Sequence, residues 1–377
     1  MLNLLFWVAV LIPAAFMLYM FGFMVWVETQ TRGDGYFARP LAERARFVAL
    51  LQKHAALIRP VFEMLAKVKR LRKLPSIRYE GVTGPAMMCS KKSYAATKNY
   101  PPRPEDIFIA TQMKCGTTWM QQIVFEVLCR GEGDLSDRGY RHMYALSPWI
   151  ETSPTSSVSM ERAPLVGNPG RRIIKTHMPA KLTPYSEVAK YIYVTRHPVS
   201  CFASCVDFIH FLGGPMVPTR EDLLDWYCSD DMWWTSWPDH VEGWWQRSQA
   251  HSNVLFVHYE ALKTDLPGMV RKIAGFLDTP LSDEQLQKVV FKSGFEYMRE
   301  HEYYFEMFSP NLFSVSKKDI RFMQSGALER HKDTESAERE RINAFCRERM
   351  AHAAYPLAKF YPDVCANEPE RIAAAGR

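Results

Sequence analysis

From Leu2 to Val27 the chain carries no charged side chain. Such a stretch, 26 residues long, exceeds the roughly 20 that a helix needs to cross the hydrocarbon core of a bilayer, so residues 1–27 read as a transmembrane anchor. A cleaved signal peptide is the competing reading, but it would open on basic residues and carry a shorter apolar run. Pro13 predicts a kink, which a membrane tolerates better than water does. Between Leu41 and Leu74 the apolar positions Phe47, Leu50, Leu51, Leu57, Ile58, Val61, Phe62 and Leu65 recur at helical spacing, and the segment ends in Lys67, Lys69, Arg70, Arg72 and Lys73. Two placements suit that amphipathic helix: on an anionic membrane leaflet, or packed on the folded domain with one solvated face. Past the cluster Pro101-Pro102-Arg103-Pro104, the hexamer Asp106-Ile107-Phe108-Ile109-Ala110-Thr111 predicts a buried strand, and Met120 to Leu128 has the period of a helix.

Between that strand and helix stands Gln112-Met113-Lys114-Cys115-Gly116-Thr117-Thr118-Trp119. A strand, a short glycine-bearing loop and a helix start form the layout of a phosphate cradle. The first helical N–H groups have no partner in the helix, Gly116 lets the chain turn close to an anion, and Lys114 with Thr117 and Thr118 adds donors. The usual G-x-x-x-x-G-K-[ST] pattern is absent, so taken alone the loop also fits an ordinary strand-to-helix turn.

Charge sharpens the division of the chain. The formal net charge is +6, yet residues 28–78 hold twelve Lys/Arg against four Asp/Glu, a local +8 that leaves −2 for the rest. The basic excess thus belongs to a juxtamembrane segment, and a nucleic-acid surface, which would spread it over the folded domain, is not expected. Arg32, Arg39, Arg44 and Arg46 follow the apolar run, so the positive-inside rule puts the bulk of a single-pass chain in the cytoplasm. The eight cysteines include no C-x-x-C pair, which predicts reduced thiols and neither a zinc site nor a disulfide framework. With 47% hydrophobic and 23% charged residues over its full length, the chain has the composition of an ordinary globular protein.

The stretch Asp106 to Trp119 resembles the 5′-phosphosulfate loop of the cytosolic-type sulfotransferases, T-Y-P-K-S-G-T-T-W. Three further segments agree in the same order. Arg172-Ile173-Ile174-Lys175-Thr176-His177-Met178-Pro179 is similar to the family's R-x-x-K-T-H-L-P stretch. Tyr191 to Pro198, with Ser204 eight residues past Arg196, resembles its 3′-phosphate segment, and Phe256 to Lys263 followed by Arg271 to Leu277 resembles F-Y-E-D-[ML]-K and R-K-I-A-x-F-L. The resemblance covers about residues 105–350. It implies a P-loop-like three-layer α/β domain, with a central parallel sheet flanked by helices, over residues 79–377. It also implies sulfuryl transfer from 3′-phosphoadenosine 5′-phosphosulfate (PAPS), without a metal, to a hydroxyl or amine.

In that chemistry His177 is the expected general base, Lys114 the cation beside the 5′-phosphate and Lys175 the cation beside the transferring group. The nucleotide falls to Lys114, Cys115, Gly116, Thr117, Thr118, Trp119, Arg196, Ser204 and Tyr259. Arg196 suits a bidentate hold on the 3′-phosphate, Ser204 donates a hydroxyl there, and Trp119 stacks on adenine. Tyr259 belongs to the wall or core, and Cys115 stands in for serine as a hydrogen-bonding group, its other reading being an activated thiol. Six tryptophans within residues 226–245, joined by Phe208, Phe211, Tyr303, Tyr304 and Phe305 in flanking segments, serve core packing for the most part, and the resemblance implies that some of them line an apolar acceptor pocket; with the anchor they point to a small-molecule or lipid acceptor.

The chain also departs from the family pattern. Gln112-Met113 replaces Tyr-Pro, and Gln324-Ser325 replaces the Arg-Lys of F-M-R-K-G, so Lys317, Lys318 or Arg321 is expected to supply the missing charge. The dimer signature is reduced to Lys332-Asp333-Thr334-Glu335-Ser336-Ala337, which leaves the oligomeric state open. The competing functions are a membrane-tethered nucleotide-binding scaffold without turnover and a P-loop small-molecule kinase, the latter wanting a metal-binding acidic residue after a strand.

Overall fold

Four strands, β3 (Asp106–Thr111), β4 (Arg172–Thr176), β5 (Lys190–Thr195) and β6 (Val254–His258), pair in the order β4-β3-β5-β6, all parallel. A computed structural model describes residues 2–31, 36–68, 71–136, 140–152, 158–306, 323 and 334–366. Lys317, Lys318, Arg321, Gln324 and Ser325 lie outside the described residues.

The near-continuous apolar strands follow from burial on both sides. Along β3, Ile107 and Ile109 face a core with Ile123, Val124 and Val127 of α4 (Thr117–Leu128) and with Val270 and Ile273 of the helix Leu266–Phe276. Phe108 and Ala110 face the other way, against Tyr191, Tyr193 and Trp244. Alternate residues therefore feed two cores, and helices cover both faces of the parallel sheet. The buried Asp106 carboxylate anchors the start of β3, accepting from Arg172 (2.9 Å), the Tyr100 hydroxyl (2.8 Å) and the Arg103 N–H (2.9 Å). A buried charge so surrounded is fully paired, which is what makes its burial tolerable.

The order of strands decides where the site sits. The chain leaves β3, returns through α4 to β4 on one side, and then places β5 on the other side of β3. At such a reversal the connections diverge and open a crevice beyond the carboxyl ends of the strands. The loop 112–116, His177, Arg196 and Tyr259 each follow directly on β3, β4, β5 and β6.

Outside this domain, α1 (Leu2–Thr31) runs unbroken through Pro13. Its segment Val10–Thr31 is long and apolar enough to cross a bilayer, and within it Phe23 and Thr31 are buried. The helix expected over 41–74 forms as α2 (Leu41–Val68). Phe47, Leu51, Ala55 and Ile58 bury one face of it in a core shared with Phe23 of α1 and with Tyr144 and Phe202 of the domain. Arg44, itself buried, donates to the carbonyls of Tyr303 (2.8 Å) and Arg141 (3.0 Å). A hairpin of β1 (Ser76–Tyr79) and β2 (Val82–Pro85) follows, and then α3 (Lys91–Lys98). All eight cysteines are free.

Candidate active site

At the end of β3 the backbone makes a tight cradle. Lys114 has φ 65° and Gly116 φ 99°, and Gly116 stands before α4 with no side chain capping the helix start. Positive φ costs glycine nothing, and space demands it too: a Cβ at Gly116 would sit 2.8 Å from Cδ2 of Tyr259. Gly116→Ala is therefore expected to weaken binding of adenosine 3′,5′-bisphosphate (PAP) more than about tenfold, from αL strain of about 1–2 kcal/mol plus the clash with Tyr259. A calorimetric titration measures it.

Gln112, which stands where the family pattern has tyrosine, reaches across the site. Gln112, fully buried, donates through Nε2 to the carbonyls of Trp233 (3.0 Å) and Thr235 (2.6 Å), and its Oε1 accepts from the Met113 N–H. These bonds clamp a turn in which Trp234 (φ 61°) and Thr235 (φ 80°) both occupy the left-handed region, a strained conformation that persists only where the surroundings hold it. Gln112→Leu keeps the bulk and strands two buried carbonyls, a cost of about 1–3 kcal/mol. The acceptor KM should rise about tenfold, by release of that turn, with PAP affinity nearly unchanged; steady-state kinetics alongside PAP titration separates the two.

His177 is held by three elements. Its Nδ1 lies 2.9 Å from the Thr111 carbonyl, which can only accept, so Nδ1 carries the proton and Nε2 keeps its lone pair. Its backbone N–H donates to Glu151 Oε1 (2.6 Å), which also accepts from Trp149 Nε1 (2.7 Å), and its carbonyl faces His240 Nε2 at 2.9 Å. The ring packs between Trp149 and Trp234, with centroids 5.1 and 4.8 Å away. Burial, helped by the Lys175 charge, holds the imidazole well below its ordinary pKa, so it is neutral at working pH. Through Thr111, whose hydroxyl is 3.1 Å from His177 Nδ1 and 2.6 Å from the Thr117 hydroxyl, the histidine is tied to the phosphate loop.

The cations are spread along the same cavity, which encloses about 340 Å³. Lys175 donates to the Tyr144 hydroxyl (3.1 Å) and lies 3.6 Å from the Trp149 ring centroid. Burial pulls its pKa down to about 7, against the attraction of Glu151. Lys114 lies 4.4 Å from the Phe208 ring, and burial lowers it to about 8. The Arg196 guanidinium sits over the Tyr259 ring at 4.6 Å. Tyr259 meets Trp119 edge-on at 5.2 Å, and Trp119 Nε1 donates to the Ser293 carbonyl at 2.7 Å.

Of the residues expected from sequence, Lys114, Gly116, Thr117, Thr118, Trp119, Lys175, His177, Arg196, Ser204 and Tyr259 all line this cavity. The Cys115 side chain does not. Its thiol is buried 3.7 Å from Cys201 Sγ, and both thiols, with Cys205, approach the Met113 carbonyl. Burial pushes the Cys115 thiol well above its ordinary pKa, which disfavours an activated nucleophile there. Among the clustered tryptophans, Trp233 and Trp234 line the cavity, and the Trp234 indole N–H finds no partner among the described residues. Trp237 and Trp244 are core, bracing the carbonyls of Arg196 (3.0 Å) and Met178 (3.2 Å).

Tyr144, Trp149, Glu151 and Lys263 escaped the sequence reading. The segment 148–150 joins the edge of β4 through Lys175 N–H to Pro148 O (2.8 Å) and Ile150 N–H to Lys175 O (3.1 Å), and no local periodicity announces such a bridge. Lys263 had a signal, sitting one turn past Tyr259 in the matched F-Y-E-D-[ML]-K run; its ammonium is 5.9 Å from the Trp119 ring. Among the described residues no group of three or more His, Cys, Asp or Glu side chains is placed to hold a metal ion.

Comparison with known proteins bears on this geometry. A family model described as the sulfotransferase domain matches residues 104–354, more than half of the chain. Human sulfotransferase 1C2 is 29% identical over 271 residues, 68% of this chain and 87% of that protein. Mouse sulfotransferase 2B1 is 35% identical over 227 residues, 59% of this chain and 64% of that protein. Among solved structures, retinol dehydratase in complex with androsterone and the inactive cofactor PAP is similar with a TM-score of 0.58 at 20% identity, over 70% of this chain and 87% of that one. A mouse sulfotransferase complexed with PAP gives 0.55 at 20% identity, over 74% and 94%. At such identity the structural likeness speaks to the fold alone.

Proposed function

The chain belongs to the sulfotransferase family and is a PAPS-dependent sulfotransferase, and we propose that it sulfates a hydroxyl, or an amine, of a lipophilic acceptor with His177 as the general base. The observation that carries the proposal is the fixed tautomer of His177, with Nδ1 bound to Thr111 O and the ring set between two tryptophans of the cavity wall.

PAPS supplies the activated sulfuryl group. On the protein's side, Nε2 of the neutral His177 takes the acceptor proton as the acceptor oxygen closes on sulfur. Lys175 balances charge on the equatorial oxygens. Lys114, with the N–H groups of the α4 start, stabilises the bridging oxygen as its bond to sulfur breaks and the electron pair stays with the nucleotide. Arg196 and Ser204 hold the 3′-phosphate, and Trp119 and Tyr259 wall the adenosine. Trp149, Trp233, Trp234, Phe208 and Phe211 offer an apolar surface to the acceptor body while excluding water.

The anchor reading belongs to the same proposal: α1 crosses a membrane once and the catalytic domain lies on the cytoplasmic side. The long apolar span and the arginines after it support this. The test of function is incubation of the purified protein with radiolabelled PAPS and a membrane lipid extract, followed by identification of the labelled product. A labelled lipophilic alcohol is expected; labelling of water-soluble compounds alone would overturn the acceptor class.

A further inference from the structure

We propose that the exposed apolar stripe of α2 lies in the headgroup and acyl boundary of the bilayer that α1 enters, and that this seats the acceptor end of the cavity at the lipid surface, so that acceptors are drawn from the membrane itself. The proposal rests on the anchor reading above.

Leu50, Leu57 and Met64 recur every seven residues and Val68 follows one turn later, which at about 3.6 residues per turn lays them in one strip. They are exposed by 47, 67, 60 and 82% respectively, while Phe47, Leu51, Ala55 and Ile58 occupy the buried face. Single exposed apolar side chains are ordinary, but a contiguous strip marks an interaction surface. Exposed cations run along it, Arg46, Lys53 and Lys67, and continue beyond the helix as Arg72 and Lys73. An apolar stripe edged by Lys and Arg suits acyl chains below and anionic headgroups above.

Position agrees with chemistry. Tyr19 of α1 bonds His54 of α2 (2.7 Å between hydroxyl and Nδ1), and Trp26 packs on Phe47 at 5.2 Å. The apolar span is thus fastened to α2, and a membrane that receives α1 meets α2 as well. Beyond α2, the Leu71 N–H donates to the Met216 carbonyl (3.2 Å). That turn, Gly214–Met216, ends the helix Pro198–Gly213, whose Phe208, Phe211 and Leu212 line the cavity. Between α1 and α2, Phe37 packs on Tyr144, another lining residue, at 5.3 Å. The stripe and the apolar wall of the cavity are therefore joined through two short connections.

The test uses the full-length chain in phosphatidylcholine and phosphatidylglycerol vesicles holding a phospholipid with a diazirine in its acyl chain, with adducts mapped after irradiation. Adducts are expected on α1 and on α2 at Leu57, Met64 and Val68. Adducts on α1 alone overturn the proposal, and adducts on neither helix remove the anchor reading with it, while the radiolabel assay still judges sulfotransferase function. A second arm dissolves diazirine-bearing hexadecanol in vesicles without the phospholipid probe. Adducts in the cavity, at Phe208 or Trp234, are expected for the wild type and about tenfold fewer for the triple variant Leu57→Asp, Met64→Asp, Val68→Asp, whose PAP affinity stays unchanged. No cavity adducts in the wild type, or equal labelling of both proteins, or a loss of PAP affinity in the variant, overturns delivery from the membrane.

Discussion

His177→Ala is expected to lower turnover by about 10²–10⁴-fold, the usual contribution of a positioned general base, while PAP binds almost as before. The histidine faces the tryptophan wall, and its tie to the phosphate loop runs through Thr111 and Thr117. Loss of its ring removes a proton acceptor and leaves the cations and the α4 start intact. Parallel single-turnover kinetics and PAP titration decide the matter: normal turnover, or a matching loss of PAP affinity, would remove His177 as the base. The pH profile adds a second reading. Because burial holds His177 well below 6.5, its own protonation should leave no falling acid limb near pH 6–7.

Lys114→Ala should damage both binding and turnover. Hydrogen bonds to charged groups contribute about 1.5–3 kcal/mol each, so PAP affinity is expected to fall by about 10- to 100-fold, and turnover to fall further because charge on the bridging oxygen goes unbalanced. In the wild type the same physics sets an alkaline limb. In the proposed mechanism Lys114 and Lys175 act as cations, and burial lowers them to about 8 and about 7. Activity is thus present while they hold their protons and is lost as pH rises: kcat/KM, which reports the free enzyme, should decline through pH 7 to 8. The bound anionic nucleotide favours the charged forms, so the corresponding limb of kcat should lie at higher pH. A kcat/KM that stays flat to pH 9 would refute these assignments.

Much of the donor half of the site was legible in the chain because its groups are local in sequence. Lys114, Gly116, Thr117 and Thr118 sit in one stretch between a strand and a helix, a layout that suits a phosphate cradle as well as an ordinary turn, and the match to the family motif is what singled it out. His177 and Arg196 each stand one step past a strand, where parallel strands deliver their ends to a common edge. The acceptor half was less legible because its residues meet only across long separations. Trp149 reaches Lys175 through an irregular bridge to β4, Gln112 clamps a turn more than a hundred residues away, and Glu151 buttresses the backbone of His177.

By itself the sequence determined the apolar span and the buried strand 106–111, since each is written in a run of neighbouring residues whose length and pattern have a physical meaning, and four motifs in order carried the resemblance to the family. Only the tertiary structure decided that the Cys115 thiol turns into the core beside Cys201, that Trp233 and Trp234 face the cavity while Trp237 and Trp244 support it, and that α2 buries one face and exposes an apolar strip. Those outcomes depend on which side of an element the rest of the fold covers, and no run of neighbouring residues carries that information.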